Sequence, residues 1–393
     1  MKILMIAPEP FFEPRGTPFS EYFRIKALSA LGHTVDLVTY PFGVDKDIPG
    51  LKIFRCWKLP WIKSVRTGPS LAKVALDFFL FLKVAQRLLR EDYDLIHSHE
   101  EGSVIGVFCQ KMTKIPHLYD MHSSLVQQME NFNFTRSKII IRFFKFSETI
   151  ALKNAAAVIV ICRSLFDYAA GITAAAKLTL IENFMDDRPG VSNEEKFLRL
   201  QREINPDGKK IIMYTGTLEA YQGISLLLES LRLLGDDFRL ILIGGKEDQV
   251  GKLRRQILAM KLEKRVMVLG QKCSRDIPYY LQAASVLVSP RIRGTNIPLK
   301  IYSYLASGVP VVATDLVTHT QSISKDIAIL AAAAAEPFAV AINLAAGPQG
   351  QAVASRALAY CQEHYTTERY IELVAQALGK AVPSVAGQAV VRQ

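Results

Sequence analysis

The stretch Ser289-Pro290-Arg291-Ile292-Arg293-Gly294-Thr295-Asn296-Ile297-Pro298-Leu299-Lys300, continuing through Ile301-Tyr302-Ser303-Tyr304-Leu305-Ala306-Ser307-Gly308, decides the fold class. It lies between two short apolar runs, 284–289 and 311–314, so it reads as strand, turn, helix, strand. Asn296 suits a helix N-cap and Pro298 the first helical turn, with Gly308 closing a helix of about three turns. The turn then presents the backbone N–H groups of Thr295, Asn296 and Ile297 beside Arg291, Arg293 and Lys300. Dipole, amides and cations together make an anion site. An ordinary strand–helix turn with solvated arginines fits the same spacing.

Working outward, apolar runs at 2–7, 34–39, 94–97, 116–119 and 157–161 predict buried parallel strands, with a helix at about 20–31 ended by Gly32. A second cycle predicts strands at 211–214, 239–243, 266–269, 284–289 and 311–314, with a helix at about 224–234. The least apolar segment, 186–210, holds Pro189-Gly190 and Pro206-Asp207-Gly208 and reads as a linker. The fold class is α/β: two Rossmann-like, doubly wound domains, 1–185 and 186–378, followed by a tail at 379–393.

A glycine-bearing turn, Tyr214-Thr215-Gly216-Thr217-Leu218-Glu219-Ala220-Tyr221-Gln222-Gly223, follows the first strand of the second domain. Its glycines either let the backbone approach a ligand or only shape the turn. Open α/β sheets bind ligands beyond the carboxyl ends of their strands, where this turn and the Ser289 block both fall. In the first domain the same edge gathers Arg15-Gly16-Thr17, His97, His99, Glu100, Glu101 and Tyr119-Asp120-Met121-His122. His122 is expected to serve the site. His97 and His99 read equally as strand caps. The pair His97-x-His99 lacks a third ligand at fitting spacing, so no metal is expected.

Half of the 393 residues are hydrophobic and 22% are charged, which rules out a disordered or collagen-like chain. Five scattered cysteines without a Cys-x-x-Cys pair exclude a zinc ribbon and predict buried, reduced thiols of a cytosolic protein. The opening apolar run meets Pro8 and Pro10 too soon for a signal peptide. The most apolar stretch, 71–89, carries Lys73, Asp77, Lys83 and Arg87, which a bilayer core would penalise. A formal net charge of +11 favours anionic partners. No nucleic-acid-binding motif accompanies that charge, so nucleic acid is not expected as a partner.

The charge is instead concentrated. Lys52, Arg55, Lys58, Lys63, Arg66, Lys73, Lys83, Arg87 and Arg90 face one acidic residue, Asp77, with Trp57 and Trp61 among them. Lys73, Asp77, Lys83, Arg87 and Arg90 share an arc of roughly 140° on one helix, leaving an apolar face to pack on the sheet. A second basic stretch, 136–145, interleaves Ile139, Ile140, Ile141, Phe143 and Phe144. Both suit an anionic bilayer, and the expectation is peripheral attachment to the cytoplasmic leaflet.

In their order, the Gly16 loop, Gly32-His33-Thr34-Val35, the Gly216 turn, Gly244-Gly245, the Ser289 to Gly308 block and Val309-Pro310-Val311-Val312-Ala313-Thr314 resemble a family 4 glycosyltransferase. The resemblance covers nearly the whole chain. It implies a GT-B fold whose two domains face across a cleft, with the last helix packed back on the first domain. It also implies sugar transfer with retention of configuration from a nucleotide diphosphate sugar, without a metal or other cofactor. The donor would sit on the second domain, against Gly216, Thr217, Gln222, Gly244, Arg293, Gly294, Thr295, Asn296, Ile297 and Ser303, with Gly16 reaching it from the first. His122, Arg291 and Lys300 would be catalytic. A glycan or lipid-linked acceptor would meet Arg15, Thr17, His99 and Glu101 on the first domain.

Two departures stand out. The family's usual Glu-x7-Glu pair falls on Thr295 and Ser303, so the carboxylate that accepts both ribose hydroxyls is missing. The basic pair that usually follows the Gly216 strand falls on about Thr217 and Gln222. Arg291, Arg293 and Lys300 are expected to supply the charge instead. Loss of both glutamates favours the alternative, a non-catalytic relative that binds sugar nucleotides or serves as a partner subunit, while the retained cationic loop and His122 favour an active enzyme.

Overall fold

The structure, a computed structural model, describes residues 1–13, 16–65, 70–124, 126, 137–182, 193–294 and 296–383. Arg15, Arg66, Thr295, the 183–192 part of the expected linker and the tail from 384 therefore lie outside the described residues.

The chain divides into two units. The first, Met1–Asn183 with Thr367–Gln393, is built on seven parallel strands: β1 (Lys2–Ala7), β2 (Thr34–Thr39), β3 (Leu51–Arg55), β4 (Leu95–His99), β5 (His117–Met121), β6 (Ala157–Val160) and β7 (Leu178–Leu180). Their order is β3-β2-β1-β4-β5-β6-β7. The second unit, Phe184–Thr366, holds β8 (Lys210–Thr215), β9 (Phe238–Ile243), β10 (Val266–Gly270), β11 (Val286–Ser289), β12 (Val311–Thr314) and β13 (Ile329–Ala331), in the order β10-β9-β8-β11-β12-β13. Each unit is a doubly wound, Rossmann-like sheet. The central strands are the continuous apolar runs of the sequence because helices bury them on both faces; Ile3 to Ala7 and Ile211 to Tyr214 have no exposed surface.

Three strands were not legible in the sequence: β3, β7 and β13. All are edge strands. An edge strand needs no unbroken apolar run, and Leu51-Lys52-Ile53-Phe54-Arg55 has none.

Helix α1 (Gly16–Ala30) starts before the expected residue 20. Pro18 is tolerated there because first-turn N–H groups need no helical partner. The expected end of the second domain at 378 moves to 366, since the last helix, Thr367–Ala381, packs on α1, β6 and β7 of the first unit. Helices α2 (Leu71–Leu88), α3 (Gly102–Thr113) and α4 (Lys138–Asn154) complete the parts of the first unit used below. Ser70 caps α2 by accepting from the Lys73 N–H.

The charged arc expected on α2 does not face solvent as a whole. Lys73 Nζ reaches Glu101 Oε1 at 2.6 Å, Asp77 accepts from Tyr40 Oη at 2.5 Å, and Arg87 holds Asp36 at 3.0 Å. Leu76, Leu80 and Val84 are buried, while Val74, Phe78 and Leu82 point outward. The helix is apolar nearly all round, so its rotation is set by where the charged groups find partners. No helix among the described residues is long and apolar enough to cross a membrane. Of the cysteines, Cys273 is exposed and the other four are buried, all as free thiols.

Candidate functional site

Each sheet reverses its strand order once, between β1 and β4 in the first unit and between β8 and β11 in the second. Such a reversal opens a crevice at the carboxyl ends of the strands. Of the sequence-predicted residues, those described lie on the turns and strand ends around these two places.

In the second unit the turn after β8 and the turn after β11 are locked together. Ile292 N–H donates to Tyr221 O at 2.9 Å, and a Cβ on Gly223 would fall 1.9 Å from Pro290 O. The turn after β9 closes the third side: a Cβ on Gly244 would lie 2.1 Å from Gly216 O. Only glycine allows either approach, and both residues have positive φ. Into this wall of backbone comes Lys300. Its Nζ sits 3.6 Å from the centre of the Tyr214 ring, buried and without a hydrogen-bond partner. Burial first, and the Arg291 charge second, hold its pKa well below the ordinary lysine value. Arg291 is differently placed. Its Nη1 donates to Asn296 O at 2.6 Å and to Thr318 Oγ1 at 2.9 Å, so part of the guanidinium braces the loop, while its Nε is buried without a partner.

The rest of the Ser289 block departs from expectation. The helix is Lys300–Leu305, six residues rather than three turns, and its N-cap is Leu299. Asn296 is therefore not a cap, and the amides of Asn296 and Ile297 do not belong to a helix N-terminus. Pro298 explains the delay, because the residue before a proline is pushed out of the helical region. Arg293 and Gly294 are exposed at the tip, and Ser303 is half-buried on the short helix. Gln222 is buried and donates to Thr217 Oγ1 at 3.4 Å, which ties those two residues to each other.

The first unit holds a polar cluster that the sequence showed only in part. Asp120, at zero exposure, accepts from Arg24 Nε at 2.7 Å, and Arg24 Nη1 donates to Tyr370 Oη at 2.7 Å. His122 Nε2 lies 3.3 Å from Asp120 Oδ1 and 3.0 Å from His99 Nδ1. The rings of His97, His99 and His122 stack at 4.7 and 5.3 Å. Burial would raise the Asp120 pKa, but Arg24 and the histidines hold it well below the usual range. Burial lowers all three histidines, His122 to about 4, so they are neutral at pH 7.

His122 is 3% exposed and His99 has no exposed surface, so both reach the crevice only from within the cluster. Ligand atoms of His97, His99 and Asp120 fall within 4.8 Å of one another. Arg24 already donates to the Asp120 carboxylate, and Asp120 is a third candidate ligand that the spacing of His97 and His99 did not reveal. Gly16 and Thr17 stand in the first turn of α1, and Glu101 is held by Lys73.

Sequence reasoning missed Glu9, Glu21, Arg24 and Lys73. A signal existed for two of them: Pro18, Glu21, Arg24, Ile25 and Leu28 share the buried stripe of α1. A charge on an apolar stripe needs a partner. Burial, opposed by a hydrogen bond with Glu9 and reinforced by Asp120 and Glu100, raises the Glu21 pKa to about 8, and Glu9 is raised well above the ordinary value.

Comparison with known proteins matches both halves. Residues 24–188 fit the family model described as Glycosyltransferase Family 4, and residues 209–346 fit Glycosyl transferases group 1. The chain belongs to family 4 of the glycosyltransferases. A phosphatidyl-myo-inositol mannosyltransferase from Mycobacterium leprae is 25% identical over 328 residues, spanning 80% of this chain and 79% of that protein. Among solved structures, Anabaena HepE in complex with UDP aligns with a TM-score of 0.77 at 18% identity, covering 96% of this chain and all of that one. Sucrose-phosphate synthase from Thermosynechococcus elongatus aligns at 0.75 and 19% identity, over 100% and 99% of the two chains. This glycosyltransferase thus has the GT-B fold.

Proposed function

We propose that this glycosyltransferase moves a sugar, with retention of configuration and without a metal, from a nucleotide diphosphate sugar on the second unit to an acceptor hydroxyl on the first. The observation that carries the reading is Lys300: a buried amine with no hydrogen-bond partner, between the Tyr214 ring and a wall of glycine backbone. An unpaired buried cation is costly unless a ligand anion completes it. The diphosphate leaving group supplies that anion, and Lys300 with Arg291 and Arg293 neutralises the charge that develops on it. Cationic neutralisation then does what a metal would otherwise do. HepE structures holding UDP and UDP-glucose favour a uridine donor as the first to try. The acceptor hydroxyl attacks on the face the diphosphate leaves, and His122, fixed by Asp120, orients the reacting groups. The test is UDP binding by calorimetry: wild type binds and Lys300→Ala does not. Equal affinity in a folded Lys300→Ala protein would return Lys300 to the scaffold.

The acceptor in this reading is lipid-linked and met at the cytoplasmic leaflet of the plasma membrane. Trp57 and Trp61 are 64% and 75% exposed, and Phe78, Phe108, Met112, Ile139, Phe143 and Phe146 are also exposed on the first unit. The two acids on α2, α3 and α4 are turned away from solvent: Asp77 bonds to Tyr40, and Glu148 is fully buried against Ser124 and Tyr168. Arg142, Lys145 and Lys111 remain outside. Each such residue near an anionic surface adds about 1 kcal/mol. Binding to vesicles should rise with anionic lipid and fall with salt and with Lys58/Lys63→Glu. Equal recovery with neutral and anionic vesicles at low salt would make a soluble acceptor the better reading.

A further inference from the structure

Three side chains not assigned to the site hold the Arg291 loop of the second unit. Thr314 ends β12, and Thr318 and His319 sit on the one-turn helix Val317–Thr320 that follows it. None of the three has any exposed surface. The Thr314 hydroxyl donates to Arg291 O at 2.5 Å. The Thr318 hydroxyl donates to Asn296 O at 2.7 Å and accepts from Arg291 Nη1 at 2.9 Å. Arg291 Nη1 also donates to Asn296 O, at 2.6 Å, so guanidinium, hydroxyl and carbonyl close a triangle. Thr318 spends its only proton and a lone pair on it.

His319 ties together the two strand ends beside this loop. Its Nδ1 lies 2.9 Å from Thr314 O, which can only accept, so Nδ1 carries the proton, and Nε2 accepts from Ser289 Oγ at 2.8 Å. Burial lowers its pKa to about 3, which keeps the ring neutral at pH 7.

These bonds decide which part of Arg291 is left over. Nη1 is spent twice, while Nε is buried without a partner and the Tyr221 ring lies 5.2 Å from the guanidinium carbon. Arg291 is close enough to Lys300 for its charge to depress the lysine pKa. Two like charges kept together, each with a buried nitrogen unmet, are costly unless one anion completes both.

We propose that Thr318 is a positioning residue for the donor: its hydroxyl engages Arg291 Nη1 so that Nε, together with Lys300, is presented to the diphosphate. The proposal rests on the reading that the diphosphate binds at Lys300. The contribution of Thr318 is therefore specific to phosphate, and a ligand without phosphate gains nothing from it.

Thr318→Val nearly keeps the shape and removes the hydroxyl, and Thr318→Ser keeps the hydroxyl. UDP affinity, read by calorimetry on the full chain, falls about fivefold or more in Thr318→Val and returns in Thr318→Ser. Uridine, which has no phosphate, binds all three proteins alike in saturation-transfer NMR; a merely structural threonine would weaken both ligands together. In an Arg291→Met background, Thr318→Val costs UDP nothing further, because the two residues act as one unit. A second measurement needs no ligand: hydrogen exchange at Arg291 Nε–H, assigned by its loss in Arg291→Lys, quickens in Thr318→Val and not in Thr318→Ser. Unchanged UDP affinity in Thr318→Val, an equal loss for uridine, or an unaltered exchange rate overturns the positioning role. A wild type that binds none of UDP, GDP and ADP overturns the donor reading instead, and the exchange rate then decides whether Thr318 holds Arg291.

Discussion

The two strand-order reversals share a topology and have opposite chemistry. At β8/β11 the crevice is walled by glycine backbone and holds Arg291 and Lys300, the latter without a hydrogen-bond partner. At β1/β4 it is lined by carboxylates, and Glu9 and Glu21 bond to each other. The same doubly wound architecture thus gathers cations in one unit and carboxylates in the other. What differs is which side chains are left incomplete. In the first unit the neighbouring charges are paired, Arg24 with Asp120 and Lys73 with Glu101; in the second, Arg291 is tied to Asn296 O and Thr318. Incomplete groups amid complete ones mark where a ligand belongs.

The contrast makes its largest prediction about removing a buried cation. Arg24→Met strips Asp120 of its partner and should cost about 3–5 kcal/mol of stability in denaturant melts. Lys300→Met should cost far less, because only the Tyr214 ring and no hydrogen-bond partner is abandoned. Equal destabilisation in both variants would erase the distinction between the crevices.

Activity separates them next. Lys300→Ala should lower kcat/KM for the donor by on the order of 10²-fold or more. His122→Ala should lower turnover and also cost about 1–2 kcal/mol, since Asp120 and His99 lose a hydrogen-bonded neighbour. A His122→Ala protein with full turnover would make the imidazole stack purely structural.

A smaller effect concerns pH. The Glu21 carboxyl is raised from 4.5 to about 8, so the folded protein keeps a proton that the unfolded chain has released. Its contribution to stability is present below pH 4.5 and is lost as pH rises through about 8. Glu9, Glu100, Asp120 and Lys73 face the same group. Glu21→Gln should flatten the fall in stability across that window, measured by chemical denaturation at a series of pH values; an unaltered slope would assign it to other groups. The smallest effect expected is none: EDTA should leave transfer unchanged, and loss restored by magnesium would contradict the cationic reading of Lys300.

How much of this was legible beforehand depends on the kind of signal. Central strands such as β1 and β8 announce themselves because burial on both faces demands an unbroken apolar run. Edge strands β3, β7 and β13 carry no such demand. The Ser289 block pointed to Lys300 by its position beside glycines, yet misplaced the helix start by several residues, because Asn296 imitates a cap that Pro298 forbids. Glu9 and Glu21 left no motif. Their pairing is a property of three-dimensional surroundings that no spacing in the sequence encodes.

The last helix also sets an order of events. Tyr370 is the partner of Arg24, yet it lies beyond the whole of the second unit in the chain. The second unit is in effect an insertion within the first, and on the ribosome it can be finished while the first is still open. A nascent or truncated chain that stops short of Tyr370 carries a buried guanidinium with part of its bonding unmet. That gives proteases a means of telling an incomplete product from a finished one.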